Sequence, residues 1–460
     1  MGITENLARF IVETESAEIP AKVRHEAVRS LVNWSGCALG GSGHPAVNAA
    51  LLALTPFAGI GRASVLGRDE RVDALHAALF NGISSHVLDF DDTHPGTLVH
   101  PSGPVISALF ALSQYQTIKG KDFLDAIVMG IETECRVALA VGKAHYDIGW
   151  HVTGTAGVFG AAAACGRALG LNLQQMTWAL GIAATQAAGL REMFGSMCKS
   201  LHPGKAAQNG LSAALMAQAG FTSSTQAIEG PRGFAKVTST EPHEELLLAE
   251  IGVRWETLSN TYKPYACGLV IHPVIDACVA AHASGKVSPQ DVVSITLYAN
   301  PLVLELTGKT RPATGLEGKF SVYHATAMAL IEGCSLSSHF TDAAVQRQDV
   351  IDVRDRVKVQ SNSDLRVDEA RAVFAMRDGT LFEHHVNFAL GSIGRPMSDD
   401  DLSKKFLELA QKVLPLNDAE RALQLCWTAE TQSNAGSIAD ALSKSSQSAS
   451  LDYSPVQIEF

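Results

Sequence analysis

The sequence predicts a mainly α protein with an inserted α+β domain: a large all-helical domain built from both chain ends, and a smaller α/β lid between them. Three observations carry this. Apolar residues recur three to four positions apart from the N-terminus to about Ser259. Alternation of period two begins only beyond Lys263, and helical spacing returns after Gly391.

In chain order, residues 19–40 open on Ile19-Pro20 and carry Val23, Ala27, Leu31 and Trp34 on one helical face. Residues 104–118 and 121–142 repeat the pattern, the second through Phe123, Ile127, Met129, Ile131 and Val137. Thr153-Gly154-Thr155 places hydroxyls ahead of an Ala/Gly-rich run to Leu169, a capped helix suited to close packing. Residues 205–219 form another small-residue helix, ended by Gly220. In the lid, Val293, Ile295 and Leu297 alternate with Ser294, Thr296 and Tyr298, and Val357 and Val359 alternate likewise. Ala372–Met376 and Thr380–Phe388 flank Asp378-Gly379, a hairpin signal. A helix is expected over 320–333, and helical spacing runs from Asp399 to about Cys426. The predicted units are therefore a helical domain over 1–262, a lid over 263–390, a helical return over 391–442 and a tail over 443–460. The tail, serine-rich from Ser443 to Ser450, is expected to be mobile.

Composition narrows the function. The 460 residues are 46% hydrophobic and 18% charged, ordinary for a globular chain with a large core. A net charge of −11 without a basic stripe excludes nucleic-acid binding. It also means that an anionic ligand needs a local positive pocket. The eight cysteines are scattered with no C-x-x-C spacing, which reads as buried, reduced thiols in a reducing compartment. Met1 to Ser16 holds three glutamates and no long apolar run, and apolar stretches elsewhere are broken by charges. A soluble cytoplasmic protein is expected. There is no G-x-G-x-x-G after a strand, no Walker lysine loop, no H-E-x-x-H and no G-x-S-x-G elbow.

What remains is a set of ionisable residues at junctions between helices. Asp89-Phe90-Asp91-Asp92-Thr93-His94 and the following His100 pack polar groups densely between two apolar helices. Such groups are costly if buried and idle, which makes the segment a surface loop or a working site; the working site is the reading adopted. Asp89, Asp91 and Asp92 with His94 and His100 could also form a cation site, but no spacing there fixes a metal geometry. His100 and His151 each precede a helix, Lys199 and Lys205 lead into another, and Lys263 stands where the lid begins. Converging helix N-termini favour anions; lysines there clamp carboxylates, and a histidine there is held neutral enough to act as a base.

Taken together these segments resemble the MmgE/PrpD family, which includes 2-methylcitrate dehydratase, cis-aconitate decarboxylase and iminodisuccinate epimerase. The resemblance rests on an ordered series: Asp89-Phe90-Asp91-Asp92-Thr93, His100-Pro101-Ser102, His151 with Thr153-Gly154-Thr155, the Lys199–Gly210 segment, Lys263-Pro264-Tyr265, Lys319-Phe320-Ser321 and Gly394-Arg395-Pro396-Met397-Ser398. It implies a helical domain with an α/β lid, a homodimer, and no metal or organic cofactor. It places Asp89, Thr93, His100, His151, Lys199 and Lys263 on the family's active-site positions. Lys199, Lys205 and Lys263 would bind carboxylates, with Asp89 and Thr93 beside them; Asp89 would also hold an imidazole in its tautomer. His100 and His151 would move protons or orient the substrate, and Tyr323 or His324 would complete the site from the lid. Two positions depart from the decarboxylase pattern: Gly268 falls where a further site histidine is expected, and His324, beside Tyr323, where a tyrosine is. Gly103, on the other hand, stands where the dehydratases tend to carry Asp. The implied function is a cofactor-independent lyase of a small di- or tricarboxylate, decarboxylase-like because of His100-Pro101-Ser102-Gly103. A dehydratase of a 2-methylcitrate-type acid, an epimerase of a small dicarboxylate and a non-catalytic carboxylate-binding protein are the alternatives.

Overall fold

The computed structural model describes residues 2–444. Most of the expected tail lies outside the described residues; Ser443, however, is buried and donates to Ala439 O at 2.9 Å.

The expected helices are present with adjusted ends. They run over Ala21–Gly41, Ser102–Ser113, Gly120–Ile148 and Val152–Ala168. The third is broken at Gly142, whose positive φ of 65° interrupts the helical backbone where the apolar spacing also stops. Asp399–Ala410 and Leu416–Trp427 replace the single return helix, because Pro415 cannot continue the first. The largest correction is to the helix expected from residue 205: it spans Cys198–Gln218 and starts seven residues early, straight through Pro203. Proline forfeits one hydrogen bond, to the Lys199 carbonyl, but the helix persists because tertiary packing outweighs that loss. The packing is visible at Gly204. A Cβ on Gly82, in helix Ala74–His86, would lie 2.4 Å from Gly204 Cα, so only paired glycines let these helices cross so closely. That crossing sets Lys199 and His202 beside His86.

Two hydrophobic cores follow the two halves of the sequence pattern. One gathers apolar side chains from Leu7 to Tyr262 and again from Met397 to Leu442; the other runs from Ala266 to Val386, with Cys37, Phe90 and Leu409 joining from the helical side. The return helix is clamped onto the first domain: a Cβ on Gly36 would come within 3.0 Å of Phe406 Cα.

The lid sheet orders its strands Val357–Ser361, Val292–Ala299, Ala370–Met376 and Leu381–Val386. The first pair is parallel and the others antiparallel. The hairpin turns at Asp378-Gly379, with Gly379 at φ 88°. Val293 was expected to face inward with Ile295 and Leu297 but is half exposed, and a register shift between Val292 and Ser294 puts Val292 in the core instead. Helices His272–Ala283 and Val322–Glu332 pack against this sheet. The eight cysteines are free and six are buried. Among the described residues no helix is long and apolar enough to cross a membrane.

Candidate active site

Asp89, Thr93, His100, His151, Lys199 and Lys263 line one small cavity of about 60 Å³ between the two cores. They come from four places: the loop after helix Ala74–His86, two helix starts, and the entry to the lid. His151 is the N-cap of helix Val152–Ala168 and Lys199 sits in the first turn of Cys198–Gln218.

At the cationic end, Lys199 Nζ lies 2.6 Å and Lys263 Nζ 3.1 Å from the same oxygen, Asp89 Oδ1. Burial alone would raise the Asp89 carboxyl; the two ammoniums outweigh it and hold the group well below the usual carboxylate range. Its other oxygen, Oδ2, is buried without a partner. Asp89 also has a left-handed backbone, φ 50°, tolerated by Asp but costly enough to need support. The support comes from consecutive carbonyls, each held by a different lysine. Leu88 O accepts from Lys319 at 2.6 Å, Asp89 O from Lys263 at 3.2 Å, and Phe90 O from Lys405 at 2.6 Å. Lys405 also reaches Lys263 O and Asn33 Oδ1. Burial pushes both Lys319 and Lys405 down to about 8.

The imidazole end is equally fixed, but by the Asp92 carbonyl and Asp91 and not, as expected, by Asp89, whose Oδ1 is taken by the two lysines. His100 Nδ1 lies 2.7 Å from Asp92 O, an acceptor only, so Nδ1 carries the proton and Nε2 is left as the basic nitrogen. Burial pulls His100 down to about 3; Asp91 opposes this and Lys263 adds to it. His151 Nδ1 faces His202 Nδ1 at 2.7 Å, one donating and one accepting. Burial, then Lys199, then His202 hold His151 well below the ordinary histidine range. A third imidazole, His86, pairs through Nδ1 with Asp91 Oδ2 at 2.7 Å and leaves a buried Nε2 unpartnered. One ring nitrogen from each of His86, His100 and His151 lies within 4.8 Å of the others, the group among the described residues that could hold a metal ion. Asp92 does not face this cluster; it accepts from Ser102 Oγ, Ser102 N and Asn260 Nδ2. His94 is likewise drawn away, 3.3 Å from Glu256, so the acidic run does not assemble a cation site with it.

The remaining wall is apolar. Phe194 and Phe320 place their rings 5.2 and 5.1 Å from Lys199 Nζ, and Gly268, Leu269, Val270, Leu306 and Thr307 close the lid side. Tyr146 lines the cavity too, its phenol pushed up to about 12 by burial and partly offset by Arg191, stacked 3.9 Å over its ring.

Three expected residues fall outside. Lys205 is exposed and bonds to Gln208, because its position six residues after Lys199 puts it on another face of the longer helix. His324 is buried in the lid core with Nε2 2.8 Å from His339 O, and Tyr323, half-buried, packs on that core. Neither lines the cavity; Phe320, one turn earlier, does. Residues not foreseen are His86, Tyr146, Phe194, Phe320 and His202. Only His202 had a sequence signal, lying three residues after Lys199 on the same helix face.

A two-domain protein with a helical core, an α/β lid and a buried lysine–imidazole chamber between them is the class that this fold and site define. The chain belongs to the MmgE/PrpD family: the model of its N-terminal domain matches residues 5–246 and that of its C-terminal domain residues 265–429. The chain is 28% identical to a cis-aconitate decarboxylase-like protein of Aspergillus oryzae, over 91% of this chain and 92% of that one. It is 27% identical to the cis-aconitate decarboxylase of Aspergillus terreus, over 90% of each. The mouse (Mus musculus) cis-aconitate decarboxylase is 29% identical over 76% of this chain and 75% of its own length.

Proposed function

We propose that the protein is a cofactor-independent lyase of a small tricarboxylate, acting as a decarboxylase of cis-aconitate type. The observation that carries this is the convergence of two buried ammoniums and two buried, neutral imidazoles in one chamber. Decarboxylation breaks a carbon–carboxylate bond and leaves the electron pair on the adjacent carbon. That charge spreads onto a remaining carboxylate, which Lys199 and Lys263 stabilise. Carbon dioxide then leaves and the carbon takes a proton.

The proton source follows from the tautomers. If His202 donates to His151 Nδ1, the neutral His151 ring carries its single proton on Nε2; as that proton goes to the carbanion, the His202 Nδ1 proton moves to His151 Nδ1 and His202 takes a replacement proton from solvent at its Nε2. His100, with a free Nε2, binds or moves a second proton. Burial keeps both rings neutral; a substrate bringing several negative charges raises their basicity just where an acid is needed. Asp89 acts as an internal carboxylate that holds both lysines in place before substrate arrives.

Gly103 supports decarboxylation over dehydration: a Cβ there would already lie 3.3 Å from Pro203 Cβ, leaving little room for an additional carboxylate side chain. Gly268 marks where this site differs from the decarboxylase pattern. A Cβ there would lie 2.9 Å from Thr307 Cγ2, so the Thr307 methyl, not a histidine, fills that side.

Proton NMR of the purified protein with a panel of di- and tricarboxylates in deuterated water tests the reading. Loss of carbon dioxide with one deuteron incorporated is expected. Water loss would make it a dehydratase, exchange without net reaction an epimerase, and binding without any turnover a carboxylate-binding protein.

A further inference from the structure

A second cavity adjoins the small chamber. Leu98, Tyr146 and Leu269 line the chamber and also line this second cavity, of about 680 Å³, between the helical domain and the lid. The two spaces therefore share a wall of three residues. The large one is bounded by Ala138, Leu139 and Leu246 on the helical side and Leu302, Val367 and Leu390 on the lid side.

Charges on its walls are already paired. Lys143 holds Asp147 at 2.6 Å, Glu305 holds Arg191 at 3.1 Å, Asp368 holds Arg366 at 3.1 Å, and His243 stands 3.6 Å from Glu245. A second anionic group would find no uncommitted cation there, whereas an alkyl chain would meet leucine and valine. For a tricarboxylate without substituents this volume has no use, since the ammoniums and imidazoles all stand in the small chamber.

We infer that the substrate is a tricarboxylate bearing an alkyl chain, with its carboxylates in the Lys199–Lys263 chamber and its chain passing Leu98, Tyr146 and Leu269 into the large cavity. This rests on the lyase reading for the head group. Cavities of this size commonly enclose most of a bound organic molecule. Each methylene moved from water to an apolar wall strengthens binding by about two- to fourfold. The chain takes no part in bond breaking; it adds affinity and selects among homologues.

The experiment measures calorimetric binding and turnover of the full-length protein with aconitate and its methyl, butyl and octyl homologues, each repeated with Leu302→Trp. Leu302 lines the large cavity but not the small one. Affinity is expected to climb with chain length, and Leu302→Trp to bring the octyl-to-unsubstituted ratio back toward one. If aconitate is turned over but affinity stays flat or falls with chain length, the chain site is wrong and the lyase reading stands. A chain-length gain that Leu302→Trp leaves untouched places the chain elsewhere and also overturns the inference. If affinity climbs, Leu302→Trp abolishes the gain and no homologue reacts, the chain site stands and the lyase reading falls.

Discussion

The two walls of the small chamber are built on opposite principles. The wall formed by residues 86–100, His151, Lys199 and Lys263 is crowded with ionisable groups whose protons and charges are fixed by named partners. The wall formed by Gly268–Val270, Leu306, Thr307 and Phe320 carries no ionisable side chain. Ionisable groups are thus concentrated on one side; in the proposed lyase the other side would supply shape and exclusion of water. Exclusion matters because the attraction between an ammonium and a developing negative charge is several times stronger away from bulk water.

The largest effects should come from the charged wall. His100→Ala and His151→Ala are each expected to lower kcat by about 10²–10⁴, the usual worth of a positioned acid or base. His202→Ala should mimic a milder His151 defect with substrate affinity kept, since it touches the proton supply and not the substrate. Equal turnover in folded His100→Ala and His151→Ala proteins, measured by initial rates, would move the proton chemistry to another group. Lys199→Met should raise KM and lower kcat together, by about 10- to 100-fold in kcat/KM, because its charge acts before and during the reaction.

Next in size is the lysine clamp behind Asp89. Lys405→Met strips the donor from Phe90 O, Lys263 O and Asn33 Oδ1 and should cost about 2–4 kcal/mol of stability. Its pH dependence has a distinctive sign. The folded Lys405 and Lys319 values, about 8, lie below the ordinary 10.5, so the folded state prefers their neutral forms. Their contribution to stability is present above the unfolded value and lost as pH falls through about 8. The charged clamp that holds Asp89 in place behaves oppositely: it exists below about 8 and weakens above it. Between pH 8 and 10 turnover should therefore fall while the stability difference between the parent and Lys405→Met moves in favour of the parent. Denaturant titrations and rates over that range check both; parallel trends would remove the clamp from the account.

The same contrast explains what the sequence revealed. Polar residues at helix junctions stand out against an apolar background, so the acidic run, His100, His151, Lys199 and Lys263 are legible from the residues, while the family resemblance adds Thr93 and picks Asp89 from the run; Asp89, Thr93, His100, His151, Lys199 and Lys263 meet in one cavity. Phe194 and Phe320 were not, because an aromatic residue that cages an ammonium looks like any core residue until its neighbours are known. Lys205 misled because the small-residue run places the helix start at residue 205, whereas the helix begins at Cys198 and runs through Pro203, held by the Gly82–Gly204 crossing. In the lid the alternation located the strands, but a register shift at Val292 turned Val293 outward, and a single-residue shift has no signature in composition.

Metal removal sharpens the comparison from another side. Exhaustive chelation and dialysis should leave turnover within about twofold, because the proposed chemistry uses ammoniums and imidazoles alone. Activity that dies on chelation and returns with one divalent ion would reassign His86, His100 and His151 as ligands, each already oriented through Nδ1 by Asp91, Asp92 O or His202.

The smallest effect on turnover is expected in the lid core, and it is the most direct way to break the contrast between the walls. His324→Gln and Tyr323→Phe alter the two residues that the family pattern would bring to the site, yet His324 is engaged with His339 O and packs edge-on against Phe340, away from the chamber. His324→Gln should cost stability, about 1–2 kcal/mol for a buried hydrogen bond and its packing, while kcat of the folded protein changes less than twofold. Tyr323→Phe should leave both nearly unchanged. Phe320→Ala is the matched control on the chamber wall: it opens the cage around Lys199, so it should lower kcat/KM by more than either. The three variants are compared by melting temperature and initial rate at saturating substrate. If His324→Gln instead abolished turnover with an unaltered melting temperature, the lid would have to close further in the working enzyme and bring an imidazole to the apolar wall. The division between a chemical side and a shaping side would then not hold for the working enzyme.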